Sequence, residues 1–74
     1  MQYSTQKTFD TSGARLYRTI TVKANGGYVE IEASSDAITW TVTDTLIEDG
    51  GWELFQGKAF IRITPFNGAT YEYI

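Results

Sequence analysis

Apolar and polar side chains alternate one for one along most of this chain, and a period of two is the mark of half-buried β-strands. In residues 16–24, Leu16, Ile20, Val22 and Ala24 fall on one face, with threonines and Lys23 on the other. Residues 28–33 repeat the pattern, Val29, Ile31 and Ala33 against Glu30 and Glu32. Between these runs stands Asn25-Gly26-Gly27, whose residues tolerate the positive φ of a tight turn, so residues 14–33 are predicted to form an antiparallel hairpin. Residues 38–43 read as a third strand with Ile38, Trp40 and Val42 facing inward, joined to the second by Ser34-Ser35-Asp36-Ala37. Leu46-Ile47 extends it briefly before the turn Glu48-Asp49-Gly50-Gly51. Trp52-Glu53-Leu54-Phe55 follows, then a turn at Gln56-Gly57-Lys58. Residues 59–64 are rich in β-formers, and Pro65 is predicted to end that strand because proline cannot donate to a ladder. Asn67-Gly68 marks a further turn, and residues 70–74 form a last strand with Tyr71 and Tyr73 on one face.

No stretch carries a helical period. Turn signals at this spacing predict an all-β fold, a small antiparallel β-sandwich or partly open barrel of about 6–8 short strands. The first segment alternates among polar residues. It divides the chain into residues 1–11, an N-terminal arm or edge strand, and residues 12–74, the β-sandwich domain.

A core this small needs help. A domain of this size buries only about 60% of the surface its unfolded chain exposes. The chain has 74 residues and neither cysteine nor histidine, so disulfides and the common metal and haem ligands are excluded. Oligomerisation is the remedy left. The opening residues hold no apolar stretch able to act as a signal peptide, and no run approaches a membrane span. The expectation is a protein made in the cytoplasm, or part of a particle assembled there, with no membrane partner.

A net charge of −3 argues against a nucleic-acid partner, which calls for a basic face. The charge is unevenly spread: residues 1–24 sum to +3 and residues 25–74 to −6. Such a split can set a basic strand beside acidic ones within one molecule, or steer one subunit onto another.

Catalytic chemistry finds little footing. Glu30 and Glu32 lie two apart on a strand and share its solvent face, where they keep the sheet soluble. Asp44, Glu48 and Asp49 flank a loop but lack the spacing of a calcium-binding helix–loop–helix. Serine and threonine are plentiful, but histidine, the commonest activating base, is absent. The Gly-Gly pairs begin no helix, so they offer no phosphate cradle. No catalytic residue, metal or cofactor is expected.

Aromatic residues make up 15% of the chain, more than so small a core requires, and they are the candidates for recognition. Trp40 follows the inward alternation. Trp52 stands just past a glycine turn and is the one expected at the surface. With Tyr71 and Tyr73 near the C-terminus and Tyr3, Lys7 and Phe9 in the first segment, it completes the candidate partner-binding set.

Two resemblances bear on function. Ser34-Ser35-Asp36-Ala37-Ile38-Thr39-Trp40 resembles a shortened Asp-box, the S-x-D-x-G-x-T-W turn of sialidase-like propellers, lacking the glycine and one residue. It implies only a local geometry, a hairpin turn in which Asp36 bonds nearby amides. More widely, residues 16–74 resemble the small β-sandwich virion proteins of tailed bacteriophages, of the capsid decoration or cement type. The residues that carry this are Val29-Glu30-Ile31-Glu32-Ala33-Ser34-Ser35-Asp36, Thr39-Trp40-Thr41-Val42, Gly50-Gly51, Ala59-Phe60-Ile61-Arg62-Ile63-Thr64 and Gly68-Ala69-Thr70-Tyr71. The resemblance implies a non-catalytic structural protein of the virion, a homo-oligomer and often a trimer, that binds a capsid or other virion protein and stabilises the particle. Its N-terminal arm would reach a neighbour, with Lys7 meeting an acidic surface. The alternatives are a small carbohydrate-binding module stacking sugars on Trp52 and a tyrosine, and an adaptor or inhibitor that adds a strand to a host protein's sheet.

Overall fold

The computed structural model describes residues 2–11, 17–55 and 59–74. Seven strands form two antiparallel sheets: β1 (Lys7–Asp10), β2 (Tyr17–Lys23), β3 (Tyr28–Ser34), β4 (Thr41–Leu46), β5 (Gly50–Phe55), β6 (Phe60–Phe66) and β7 (Thr70–Tyr73). The order is β1-β6-β3-β4 in one sheet and β5-β2-β7 in the other. Among the described residues there is no helix, and so none long and apolar enough to cross a membrane. The predicted all-β fold class is the one found.

The core lies between the sheets and is built by alternation. Ile20, Val22, Leu54, Tyr71 and Tyr73 come from the three-stranded sheet, and Val29, Ile31, Ala33, Leu46, Ile61 and Ile63 from the four-stranded one. Each fully buried aliphatic here contributes about 1.5–3 kcal/mol by leaving water.

Three local expectations need correction. The hairpin over residues 14–33 does not form: β2 and β3 lie in different sheets. Asn25 and Gly26 do adopt positive φ, with Gly27 N donating to Ala24 O at 2.7 Å, but the turn carries the chain across a corner. The same device recurs at Asn67-Gly68, where Ala69 N donates to Phe66 O and the chain passes from β6 back to the other sheet. The two corners touch. Asn25 Nδ2 donates to Gly68 O at 3.1 Å, and the Tyr28 and Phe66 rings stack at 4.7 Å. A Cβ on Gly27 would lie 1.9 Å from Phe66 O, so only glycine lets the corners meet. The start of that predicted hairpin, residues 14–16, and the predicted turn Gln56-Gly57-Lys58 lie outside the described residues.

Second, Pro65 sits within β6 opposite Val29 and does not end it. β1 pairs β6 only as far as Ile63, so one flank of Pro65 has no strand to satisfy, which is where proline is tolerated. Third, the strand predicted over residues 38–43 runs instead from Thr41 to Leu46, and its inward phase is different. Ile31 pairs with Asp44 but Glu32 pairs with Val42, which leaves Thr43 as the extra residue of a β-bulge. Val42 consequently shares the outer face with Glu32, and Ile38, Trp40 and Val42 do not enter the core. The Thr43 hydroxyl donates to Ile31 O, answering a carbonyl at the bulge.

The N-terminal segment is an edge strand and more. β1 pairs with β6, and upstream of it Tyr3 bridges to Tyr71 through two backbone hydrogen bonds of 2.7 and 3.0 Å. The segment thereby spans from one sheet to the other. Tyr3 and Phe9 pack on Tyr71 and Tyr73, with ring centroids 5.3 and 4.5 Å apart respectively, and the Arg18 guanidinium lies 4.1 Å over Tyr73. The buried Tyr71 hydroxyl faces the carbonyls of Thr5 and Ile63.

Two outcomes test this account. Gly27→Ala should lower unfolding free energy by about 1–3 kcal/mol in urea titration, since the methyl forces backbone apart. Burial, with Tyr3 nearby, pushes the Tyr71 phenol well above its usual range. The folded state therefore keeps a proton that the unfolded chain releases near its ordinary value of about 10. Stability should be intact below about pH 10 and fall as the pH rises beyond it, a decline seen in thermal melts and flattened by Tyr71→Phe.

Candidate functional site: the open side of the sandwich

Four strands facing three leave two sides to close. On one, Tyr3, Phe9, Tyr71 and Tyr73 fill the gap between β1 and β7. On the other, β4 and β5 are the end strands of their sheets, and a groove of about 480 Å³ opens beside β4. Its floor is apolar, made by Ile31, Ala33, Leu54 and Ile61, and its rim is polar, made by Ser35, Thr39, Thr41, Thr43 and Asp44.

β4 has an unusual exposure. Residues Thr41 to Thr45 are exposed in succession on both faces, and only Leu46 is buried. Large apolar side chains are exposed on and beside β4: Ile38 is 82% exposed, Val42 51% and Ile47 67%, three of the five large hydrophobics exposed among the described residues. Val42 lies on β4, and Ile38 and Ile47 lie beyond its two ends.

The loop from β3 to β4 is held from within. Asp36 Oδ1 accepts from the amides of Ile38 and Thr39, each at 2.9 Å, and from the Ser34 hydroxyl. Buried Ser34 in turn accepts from the amides of Asp36 and Ala37 through its Oγ. The amide bonds hold the Asp36 carboxyl below its usual value, those from Thr39 and Ile38 foremost. The local geometry expected of the Asp-box-like stretch is present. Ala37, at φ 61°, takes the left-handed conformation that completes the turn. Trp40, at the loop's end, lies on the Arg62 guanidinium at 4.3 Å, and Arg62 forks onto both Glu32 oxygens at 2.9 Å. Paired this way, Glu32 is a strut of the outer face. Asp49 accepts from the Ala24 amide and fastens the β4–β5 loop to the corner.

The structure brings together five of the six residues singled out for partner binding, but around the closed side. Tyr71 and Tyr73 are buried and offer no ring to a partner. Tyr3 and Phe9 are half-buried against them, and the exposed Lys7 ammonium lies 5.9 Å from the Tyr3 ring. Trp52 stands apart on β5 and packs on the core, with its ring over Gly50. The residues on and beside β4, Ile38, Val42, Asp44 and Ile47, are absent from the partner-binding set read from sequence, where Ile38 and Val42 read as inward-facing and Asp44 as a loop carboxylate. The threonines at 39, 41, 43 and 45 mark a strand but do not say which of its faces is covered.

Among the described residues no three His, Cys, Asp or Glu side chains converge to hold a metal ion. Comparisons of the chain with protein-family models, with curated proteins and with solved structures found no match.

Asp36→Ala should loosen the loop that presents Ile38 and Trp40. The amides of Ile38 and Thr39 should exchange faster with deuterium and the melting temperature should fall. Because the Asp36 pKa is lowered on folding, its contribution is present above the ordinary carboxylate value and is lost as pH falls through the folded one. In melts, the variant and the parent should therefore draw together as the pH falls below about 4, and converge only once the folded-state carboxyl is itself protonated.

Proposed function

We propose that this chain is a non-catalytic assembly protein that forms homo-oligomers and docks on a protein particle. That is the role implied by its resemblance to capsid decoration proteins of tailed bacteriophages, and it sets the working location in a virion assembled in host cytoplasm. The observation that carries the reading is the exposure of Val42 on an end strand, with Ile38 and Ile47 exposed just beyond its two ends, on an edge that no strand among the described residues pairs with. An exposed, β-branched edge of this kind is costly for a protein that works alone, because it invites pairing with other chains. In an assembly protein it is the means of association.

The carboxylates give catalysis no comparable support. Asp36 is engaged by its own turn, Glu32 by Arg62 and Asp49 by the Ala24 amide. A carbohydrate platform of Trp52 and a tyrosine has little support either, since Trp52 packs on the core and Tyr71 and Tyr73 are buried. The proposed mechanism is mass action. A protein that binds only the assembled lattice stabilises it by the free energy of that binding, with no chemistry required.

The test is solution mass by light scattering over a concentration series. A closed oligomer of three or more copies is expected for the parent. Val42→Glu should raise its dissociation midpoint by about tenfold or more, equal to ~1.4 kcal/mol per junction. A parent protein that stays monomeric at every concentration overturns the reading.

A further inference from the structure

We infer that the occupant of the β4 edge is β1 of a second copy, so that the four-stranded sheet continues from one molecule into the next. This rests on the assembly reading above and names its contact. The two strands are the opposite ends of one sheet, in the order β1-β6-β3-β4. Every pairing in that sheet is antiparallel, so β1 runs along β3 and against β4. Setting a neighbour's β1 beside β4 therefore extends the antiparallel pattern without turning either molecule over.

Register and charge favour the same junction. Lys7 is opposite Ile63, and Asp44 opposite Ile31, so both belong to the inner side of their sheet, at its two ends. Thr8, opposite Arg62, and Val42, opposite Glu32, both belong to the outer side. With a neighbour's Lys7 facing Asp44, the bulge at Thr43 brings that neighbour's Thr8 to Val42 and its Phe9 to Thr41, and every inward residue meets an inward one. No basic residue occurs from position 24 to position 57, while Asp44, Glu48 and Asp49 lie on or beside β4. A cation from the basic N-terminal portion is the complement such an edge calls for.

The alternatives are weaker on the same grounds. Two β4 strands paired antiparallel about a two-fold axis would bring the two Asp44 side chains close together with no cation opposite either, and like charges across strands destabilise a pair. A pair of β1 strands would leave the β4 edge, with its exposed Val42, uncovered. The bulge and the inward Asp44 discourage arbitrary strands, so β4 is selective as well as open. The contact is heterologous: each copy gives β1 to one neighbour and β4 to another. Repetition closes a ring when the rotation between copies divides a full turn, and every β1 and β4 edge is then covered.

The absence of cysteine makes the junction directly testable. Facing residues in either kind of antiparallel pair have Cα atoms about 4.5–5.5 Å apart, within disulfide reach. Under mild oxidation the double variant T8C/V42C should form covalent multimers matching the mass of the native oligomer, while T8C and V42C singly should give none. Dimers from V42C alone would mean β4-to-β4 pairing and overturn the inference. A native-sized oligomer whose double variant does not cross-link would also overturn it, while leaving the assembly reading standing; a monomeric parent overturns both. Charge provides a second readout without thiols. Lys7→Glu and Asp44→Lys should each weaken association by about threefold to tenfold, and the double variant should recover most of that loss. A double variant no better than the weaker single variant would sink the Lys7–Asp44 register.

Discussion

Two sheets of unequal width cannot cover each other on both sides, and the rest of this molecule follows from how that mismatch is shared out. Four aromatic residues close one side. Tyr3, Phe9, Tyr71 and Tyr73 interlock there, and the N-terminal segment bonds to β7 before turning to pair with β6. Aromatic rings bury the most area per residue, so four of them seal a gap that aliphatic side chains of a short strand could not. With no cysteine to staple the other side, β4 overhangs it, and the groove behind β4 has threonines at its rim. The exposed edge is thus a consequence of size.

The corners are what make this division possible. Chain direction between the sheets is set where Gly27 lies against the Phe66 carbonyl, and both corners use an Asn-Gly step at positive φ. β3 and β4 are the one pair of consecutive strands that bond to each other; every other connection crosses between sheets. Such pairing is non-local, so folding must close long loops before contacts reward it. The self-bonded turn of Ser34 and Asp36 sits on that one local hairpin, which makes it the natural place for order to begin. The loop also ends at Trp40, whose contact with Arg62 ties β4 to β6 across the outer face.

What could be read from sequence divides along physical lines. Alternation located β2, β3, β6 and β7 because each is covered on one face by the opposite sheet, so the pattern of Ile20 and Val22 or Ile61 and Ile63 is imposed without interruption. Pairing was another matter. Asn-Gly permits positive φ, but the same backbone serves a hairpin and a corner, and only the tertiary fold chooses between them. β4 was misread because one extra residue at Thr43 reverses the phase of what precedes it, and Ile38, Trp40 and Val42 look inward only if the strand is regular. The tyrosines were marked as surplus to a core, yet Tyr71 is fully buried with its hydroxyl against two carbonyls. A count of aromatics says nothing of which side of a strand they close. The open side escaped notice because threonine and valine there suit a buried and an exposed strand equally well.

The charge asymmetry, visible from the first, takes on its meaning only with the topology. Topology sets β2, with Arg18 and Lys23, between β5 with Glu53 and β7 with Glu72. Other charges fall at opposite ends of the four-stranded sheet, Lys7 on one edge and Asp44 with its acidic loop on the other. A sheet with unlike ends has a direction, and a surface with a direction associates head to tail more readily than with its own mirror mate. Even a small gain per junction would be repeated around a closed ring, and a ring leaves no end exposed. For a chain too short to bury its own edges, closure on copies of itself would complete the sandwich that one molecule leaves open.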